Sequence, residues 1–225
     1  MKLSSRAYNL YEAFDQPGCP VCRLTLISVD HYLDSLIYEY ITNPATHSVI
    51  RAARGFCHAH AWHVQDQINA SALGIAVLYE GLMRTLLRDM GEVSPGDGKR
   101  QVTQAANALK PQAECPACIH QVTVETHLLR NLLEHLDQEE FAEGFKRSAG
   151  LCLPHIRQAL DQPGDTAAKA HLLSIQQVIW AQLQHQLEEF IRRHDYRFAN
   201  EMTNDEVGTS PRRVIEQLAG SKGIR

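Results

Sequence analysis

Apolar residues recur at intervals of three and four along most of the chain, the spacing that marks one buried face of an α-helix. The first such face follows the Cys-Pro-Val-Cys motif and is formed by Leu24, Ile27, Leu33, Leu36, Ile37 and Tyr40. It predicts a long helix that ends near Pro44. A shorter helix is predicted from Ala45 to Arg54, and Gly55 is placed to close its C-terminus.

A long amphipathic stretch begins at Ala61. Its apolar positions are Ile68, Leu73, Ile75, Val77, Leu78, Leu82, Leu86 and Leu87. A bend near residues 69–71 is expected to separate the leading part from the rest. We expect this stretch to pack on the first long helix.

The second half of the chain shows the same order of elements. One long face is formed by Val122, Leu128, Leu129, Leu132, Leu133 and Leu136. Phe141 and Phe145 mark a shorter helix, and the run from Thr166 to Arg193 again has helical spacing. Strand-like alternation is nearly absent, so the sequence predicts an all-α fold in which two helical modules pack as a helical bundle.

The two halves also share two motifs at nearly the same offset. Cys19-Pro20-Val21-Cys22 matches Cys115-Pro116-Ala117-Cys118 at an offset of 96 residues. Gly55-Phe56-Cys57-His58-Ala59-His60 matches Gly150-Leu151-Cys152-Leu153-Pro154-His155 at an offset of 95. Because similarity at a fixed period indicates duplicated structural units, we interpret the chain as an internal repeat.

This interpretation divides the chain into four parts. We predict a first helical repeat over residues 1–93, a linker over 94–105, a second repeat over 106–195 and a tail over 196–225. The linker assignment rests on Pro95, Gly96 and Gly98 in the segment Ser94–Arg100, which do not sustain a helix. In the tail, Ser210 is predicted to cap a short helix that begins at Pro211.

Charge and hydropathy narrow the function classes. The chain has 225 residues, 44% of them apolar, and its 22 basic and 26 acidic residues give a formal charge of −4. No basic tract is long enough to follow a phosphate backbone, which argues against a DNA-binding regulator and against nucleic acid as a partner. Since no signal peptide or transmembrane segment is readable, we expect a soluble, cytoplasmic protein.

Cysteine spacing carries the main chemical signal. Four of the six cysteines form two CxxC pairs, and each of the other two stands three residues before a histidine. A chain of this size with no export signal does not need disulfides, so reduced thiols are expected. This arrangement is typical of metal ligands.

Two tetrahedral zinc sites are therefore predicted, each with three cysteines and one histidine. The within-repeat ligand sets are Cys19, Cys22, Cys57 and His60 for one ion, and Cys115, Cys118, Cys152 and His155 for the other. The spacing is equally compatible with an exchange of the CxxH pairs between the repeats. Four protein ligands leave no open coordination position, which favours a structural role over an enzymatic one, with no catalytic residue assigned.

Three alternatives use the same residues. An iron–sulfur cluster also accepts three cysteines and a histidine. Cys-Pro-Xaa-Cys occurs in thiol–disulfide redox proteins, although no βαβ pattern surrounds either motif here. The cysteines could also be ordinary buried thiols, which requires eight coincidences of position.

Several other histidines lie close to these motifs. His58 and His63 are alternative ligands to His60, but the repeat favours His60 because its counterpart is His155. His31 and its counterpart His127 are expected in the core or next to a ligand rather than as ligands.

The twin CPxC and GFCxxH or GLCxxH elements, the FIRRHDYRF segment and the terminal PRRVIEQLAG helix resemble a bacterial family classed as a domain of unknown function. The resemblance covers nearly the whole chain and implies a bacterial, intracellular, mainly helical protein, without implying a reaction. The metal assignment rests on the repeated motifs of this sequence, and we expect a metal-binding scaffold that recruits an unknown protein or small-ligand partner.

Overall fold

The computed structural model describes residues 5–39, 42–66, 71–198 and 204–224. The described residues form helices and no strand, which confirms the predicted all-α class. The eleven α-helices are α1 (Ser5–Ala13), α2 (Pro20–Tyr38), α3 (Pro44–Ala52), α4 (His58–Asp66), α5 (Ala72–Met90), α6 (Lys99–Ala108), α7 (Pro116–His135), α8 (Glu139–Arg147), α9 (Leu153–Asp161), α10 (Thr166–Arg193) and α11 (Asp205–Ala219). A short 3₁₀ helix, Tyr196–Phe198, follows α10. Among these elements, none has the length and apolar character needed to span a bilayer.

The chain divides into two compact units whose limits fall inside two helices. Unit 1 comprises Met1–Leu26 and Thr123–Arg225, and unit 2 comprises Ile27–Val122. Each unit combines the CxxH pair of one predicted repeat with the CxxC pair of the other. The compact units are defined by contacts in space, whereas the predicted repeats are defined by sequence similarity. The borders of the repeats and of the linker therefore stay a prediction.

The core of unit 1 is built from α1, the first turns of α2, and α7 to α10. Its buried apolar side chains include Leu10, Phe14, Leu129, Leu132, Phe141, Phe145, Leu151 and Leu172. Helix α1 was not predicted, although its buried Ala7, Leu10 and Ala13 have helical spacing.

The core of unit 2 is built mainly from α2, α3, α4 and α5. Its buried side chains include Val29, Leu33, Leu36, Ile37, Ile50, Val64 and Leu78. Helix α5 approaches α2 closely at Gly74, where an added Cβ would lie 3.1 Å from Ile37 Cγ2, and this confirms the predicted packing. Three predicted apolar positions of α5, Leu73, Val77 and Leu87, are instead exposed. Two further predicted apolar positions, Tyr40 of the first long face and Ile68 before α5, lie outside the described residues, as does most of the predicted bend at 69–71.

The end of α3 differs from the prediction. Arg54, rather than Gly55 alone, takes a left-handed backbone conformation, with φ of 56°. The Gly55 N–H donates to Ile50 O, five residues earlier, at 2.9 Å, and the Arg54 N–H donates to Arg51 O at 3.1 Å. These two bonds form a Schellman motif. A non-glycine residue holds this conformation because its guanidinium is fixed by Asp89, 2.9 Å away, and by the Ala108 carbonyl.

Helix α6 begins inside the predicted linker. Pro95 and Gly96 precede it, and Gly98 occupies its N-cap position. The residues that follow are compatible with a helix, and Ala105 is buried where α6 packs on α5. Only the first part of the linker therefore lacks regular structure.

Helix α11 begins earlier than predicted. Its cap is Asn204, whose side chain accepts a hydrogen bond from Val207 N at 2.9 Å, and Pro211 lies within the helix. Proline lacks the N–H that would bond to the Val207 carbonyl. The Ser210 hydroxyl donates to that carbonyl at 2.8 Å, so the helix continues through the proline.

Candidate metal centres

All four cysteine-containing pairs occupy the N-terminus of a helix. The pairs are Cys19–Cys22 on α2, Cys57–His60 on α4, Cys115–Cys118 on α7 and Cys152–His155 on α9. In each pair the first cysteine directly precedes the helix, and its carbonyl accepts the first helical N–H bond at 2.8 to 3.1 Å. The second residue, three positions on, then lies on the same side of the first turn. Helix N-termini also favour negatively charged thiolates.

In unit 1, one of these pairs meets another in a group that we call cluster I: Cys19, Cys22, Cys152 and His155. The four donor atoms lie within 4.8 Å of one another. His155 Nδ1 is 3.5 Å from Cys19 Sγ, 3.4 Å from Cys22 Sγ and 3.2 Å from Cys152 Sγ. The Cys22 and Cys152 sulfurs are 3.6 Å apart.

In unit 2, the remaining donors form cluster II: Cys57, His60, Cys115 and Cys118. His60 Nδ1 is 3.2 Å from Cys57 Sγ, 3.4 Å from Cys118 Sγ and 3.7 Å from Cys115 Sγ. The Cys118 and Cys57 sulfurs are 3.6 Å apart.

The grouping corrects the within-repeat ligand sets. Cys57 and His60 do not join Cys19 and Cys22, and Cys152 and His155 do not join the CxxC pair at the start of α7. The CxxH pairs are exchanged between the predicted repeats. The reason is that α2 and α7 each begin in one compact unit and end in the other, so each CxxC pair lies in the unit that holds the opposite CxxH pair.

Both clusters fit one tetrahedrally coordinated ion. Zinc–sulfur bonds of about 2.3 Å and zinc–nitrogen bonds of about 2.0–2.1 Å place tetrahedral sulfurs about 3.8 Å apart and sulfur about 3.6 Å from nitrogen. The sulfur–sulfur distances of 3.6 Å and the sulfur–nitrogen distances of 3.2 to 3.7 Å lie close to these values. Three thiolates and an imidazole are also a common zinc donor set.

The chain segment before Cys152 is held by a buried glutamine of α10. The Leu151 N–H donates to Gln176 Oε1 at 2.9 Å. Gly150 lies against the same amide, and an added Cβ would come within 2.7 Å of Gln176 Oε1. With φ of 71°, Gly150 also has a conformation that favours glycine. The glycine therefore permits the close packing that places Cys152 at the start of α9.

A carboxylate contacts the imidazole of cluster I on the side away from the sulfurs. Glu125 Oε1 lies 3.5 Å from His155 Nε2, and Gln158 Nε2 donates to the other carboxylate oxygen at 3.3 Å. Glu125 and His155 are both buried. A carboxylate in this position fixes the ring orientation and keeps the proton on Nε2, leaving Nδ1 to act as the donor.

Sequence reasoning missed Glu125 and considered His31 and His127 for this role. His31 is exposed and His127 is half-buried. The available signal was the position of Glu125 on the apolar face of α7, one turn before Leu128 and Leu129. A charged residue on a buried face requires a polar partner.

The alternative histidines of α4 do not join cluster II. His58 is exposed and contacts the Trp62 ring. His63 Nε2 lies 2.6 Å from Asp30 Oδ1. His60, favoured by its position in the repeat, is the histidine that the structure places in the cluster.

The thiols of cluster I have unequal proton affinities. Burial raises the pKa of Cys19 well above its usual value, and contacts with Cys152 and Cys22 raise it further. Hydrogen bonds from Cys152 and Cys19 hold the pKa of Cys22 well below its usual range. Cys22 therefore loses its proton before Cys19.

Two other donors also retain protons. Burial acts to lower the pKa of His155, but contacts with Cys152, Cys22 and Glu125 outweigh it and raise the pKa to about 11. In cluster II, burial raises the pKa of Cys118 to about 12. A metal ion bound at either cluster must displace such protons.

The clusters differ in their exposure to solvent. All four donor residues of cluster I are buried. In cluster II, His60 and Cys115 are buried, whereas Cys57 and Cys118 are partly exposed. Reagents in solution therefore have more direct access to cluster II.

Comparison with known proteins agrees with the resemblance of the motifs. Neither the curated proteins nor the solved structures include a significant match to the chain. A family model described as "Family of unknown function (DUF6062)" matches residues 1–222, which include all eight donor residues. The chain therefore belongs to the DUF6062 family of unknown function.

Proposed function

We propose that the protein binds two zinc ions, one in each cluster, through three thiolates and one imidazole nitrogen. The observation that carries this proposal is the convergence of four donor atoms within 4.8 Å in both clusters. Cysteines that serve only as buried apolar residues are not expected to converge on a histidine in two separate clusters.

The donor spacing favours a single ion over an iron–sulfur cluster. In a cubane cluster each protein ligand binds a different iron, which holds the ligands farther apart than the corners of one tetrahedron. The Cys22–Cys152 and Cys57–Cys118 sulfur distances of 3.6 Å support one shared ion. Among single ions, zinc combines a preference for thiolate and imidazole with tetrahedral geometry.

We assign the ions a structural role. In cluster I, the Cys22 and Cys152 sulfurs belong to residues 130 positions apart, and in cluster II His60 and Cys115 are 55 positions apart. An ion at each cluster joins two helix N-termini and closes the long loop between them. Closing such a loop costs chain entropy, which the metal–ligand bonds offset. Four protein donors leave no position for the water or substrate of a hydrolytic site.

Duplication explains why two clusters of the same composition exist. The lengths of the helices support it: α3 and α8 each have nine residues, and α2 and α7 have 19 and 20. In a duplicated chain with continuous α2 and α7, the length of these helices favours exchange of the CxxH pairs. Each long helix carries its CxxC end away from its own repeat's CxxH pair.

The zinc-stabilised helices serve, in this proposal, as a scaffold that recruits a partner. Exposed apolar side chains along α5, such as Leu73, Met83 and Leu87, support an interaction role. Cytoplasmic location is part of the proposal, because thiol ligands persist in a reducing compartment.

Metal analysis of protein purified without added metal tests the proposal. We expect two zinc ions per chain and a colourless sample. His60→Ala is expected to retain one ion, whereas His58→Ala, a matched change of an exposed histidine on the same helix, retains two. Bound iron together with visible absorbance would contradict zinc binding and support the iron–sulfur alternative. Protein that contains no bound metal would overturn the proposal.

A further inference from the structure

The C-terminal segment of the chain covers cluster I. Helix α11 ends at Ala219 and Gly220 is its C-cap. The next residue donates its backbone N–H to a cluster sulfur: Ser221 N lies 3.5 Å from Cys22 Sγ. A backbone donor 199 positions away in sequence thus contacts a proposed metal ligand.

Gly220 brings the main chain against two sulfurs at once. A Cβ built on Gly220 would lie 3.8 Å from Cys22 Sγ and 3.8 Å from Cys152 Sγ. Its φ of 84° is a conformation that residues with side chains rarely adopt. The Gly220 backbone therefore lies close to both sulfurs, beside the side chain of Ile224, whose Cγ2 would be 3.6 Å from the same Cβ.

Neighbouring residues of α11 fix the segment in place. The buried Gln217 donates from Nε2 to Ala149 O at 2.7 Å and accepts from Trp180 Nε1 at 3.0 Å. Ala149 directly precedes the Gly150 turn that leads into Cys152. Beyond the helix, Ile224 packs against the core of unit 1. These contacts tie α11 to the segment that carries half of the cluster.

We propose that residues 220–224 are a functional part of the metal site in unit 1 and slow the loss of its ion. The proposal rests on the proposed metal binding. A hydrogen bond to a charged thiolate is stronger than one to a neutral thiol, so the Ser221 N–H favours the metal-bound state. The segment also keeps solvent and chelators from the Cys22 and Cys152 sulfurs.

A matched pair of variants separates the hydrogen bond from general packing. Ser221→Pro removes the donor, while Ser221→Ala keeps it and deletes only the hydroxyl. The conformation of Gly220, with ψ of 173°, is compatible with a following proline. Deletion of residues 220–225 removes both the donor and the cover, and circular dichroism checks that each variant remains helical.

The readout is site-specific because each cysteine is followed separately. Zinc-loaded full-length protein is treated with EDTA and iodoacetamide, and alkylation of each cysteine is measured by peptide mass spectrometry over time. In Ser221→Pro, we expect the alkylation rate of Cys19, Cys22 and Cys152 to be about tenfold higher than in the parent. This factor corresponds to the loss of one hydrogen bond to a charged acceptor. The deletion should accelerate them at least as much, and Ser221→Ala should match the parent.

Cluster II is the internal control, since Cys57, Cys115 and Cys118 should react at the parent rate in every variant. If the parent contains two ions and both Ser221→Pro and the deletion alkylate at the parent rate, the C-terminal segment has no role in metal retention. Equal acceleration of all six cysteines would also overturn the inference, because it would indicate general destabilisation. A parent without bound metal would overturn the proposed function and this inference together.

Discussion

The sulfur atoms of Cys22 and Cys152 lie 3.6 Å apart although 130 positions separate the two residues in the sequence. This contact decides how the donors are grouped. It places the CxxH pair of the second predicted repeat with the CxxC pair of the first. The exchanged grouping has consequences that differ from those of two independent, within-repeat sites.

Removing one ligand is expected to expose its partners across the repeats. In zinc-loaded Cys22→Ser, we expect Cys152 to become reactive towards iodoacetamide, because cluster I loses a thiolate, while Cys57 keeps its protection. Cys115→Ser should give the reverse pattern, with Cys57 reactive and Cys152 protected. Peptide mass spectrometry distinguishes the two, and faster alkylation of Cys57 in Cys22→Ser than in the parent protein would contradict the exchanged grouping.

The unequal burial of the clusters predicts an order of reaction in the unmodified, zinc-loaded protein. Cys57 and Cys118 are partly exposed, so they should be alkylated before Cys19, Cys22 and Cys152, all of which are buried. A thiol reacts only when the reagent reaches it. A time course without chelator measures the order, and earlier modification of Cys19 or Cys152 would contradict it.

Metal binding by cluster I should release protons and strengthen as pH rises. The raised pKa values of Cys19 and His155, the latter about 11, mean that both groups are protonated near neutral pH without metal, whereas a metal ion binds the deprotonated forms. Displacement of a proton from each of these two groups alone makes affinity increase about 100-fold per pH unit between pH 6 and 7. Calorimetry in buffers with different ionisation enthalpies counts the protons. Binding heats independent of the buffer would contradict this prediction.

The proline inside α11 predicts a coupled effect of two neighbouring substitutions. Ser210→Ala should lower the free energy of unfolding by about 1–2 kcal/mol, because the carbonyl of the buried Val207 loses the hydroxyl donor that replaces the missing Pro211 N–H. With Pro211→Ala in the background, the restored N–H should reduce this cost. Denaturant unfolding of the four proteins gives the coupling, and an equal cost of Ser210→Ala in both backgrounds would rule out the explanation.

Sequence alone predicted the helical class and the eight donors because both depend on local spacing. Apolar intervals fix the buried faces, and two residues three positions apart at a helix start point to the same side. The grouping of the donors was open because both groupings use identical residue types. It depends on α2 and α7 being long enough to reach from one compact unit into the other.

Other features were not predicted because the local sequence disfavours them and contacts elsewhere in the structure compensate. Pro211 argued for a helix start, yet Ser210 satisfies the carbonyl that proline leaves free. Arg54 occupies a conformation usually left to glycine because Asp89 and the Ala108 carbonyl hold its guanidinium. Such compensation joins residues distant in sequence, and spacing does not reveal it.

Zinc K-edge X-ray absorption of the purified protein tests the central claim most directly, because it counts the atoms bound to the metal. Two Cys3His sites predict an average of three sulfurs at about 2.3 Å and one nitrogen at about 2.0–2.1 Å per zinc. The same sample should contain two zinc ions per chain, and His60→Ala should leave one ion with the same coordination. A coordination sphere dominated by nitrogen and oxygen, or one with metal–metal scattering, would contradict two single-ion sites built from these eight residues.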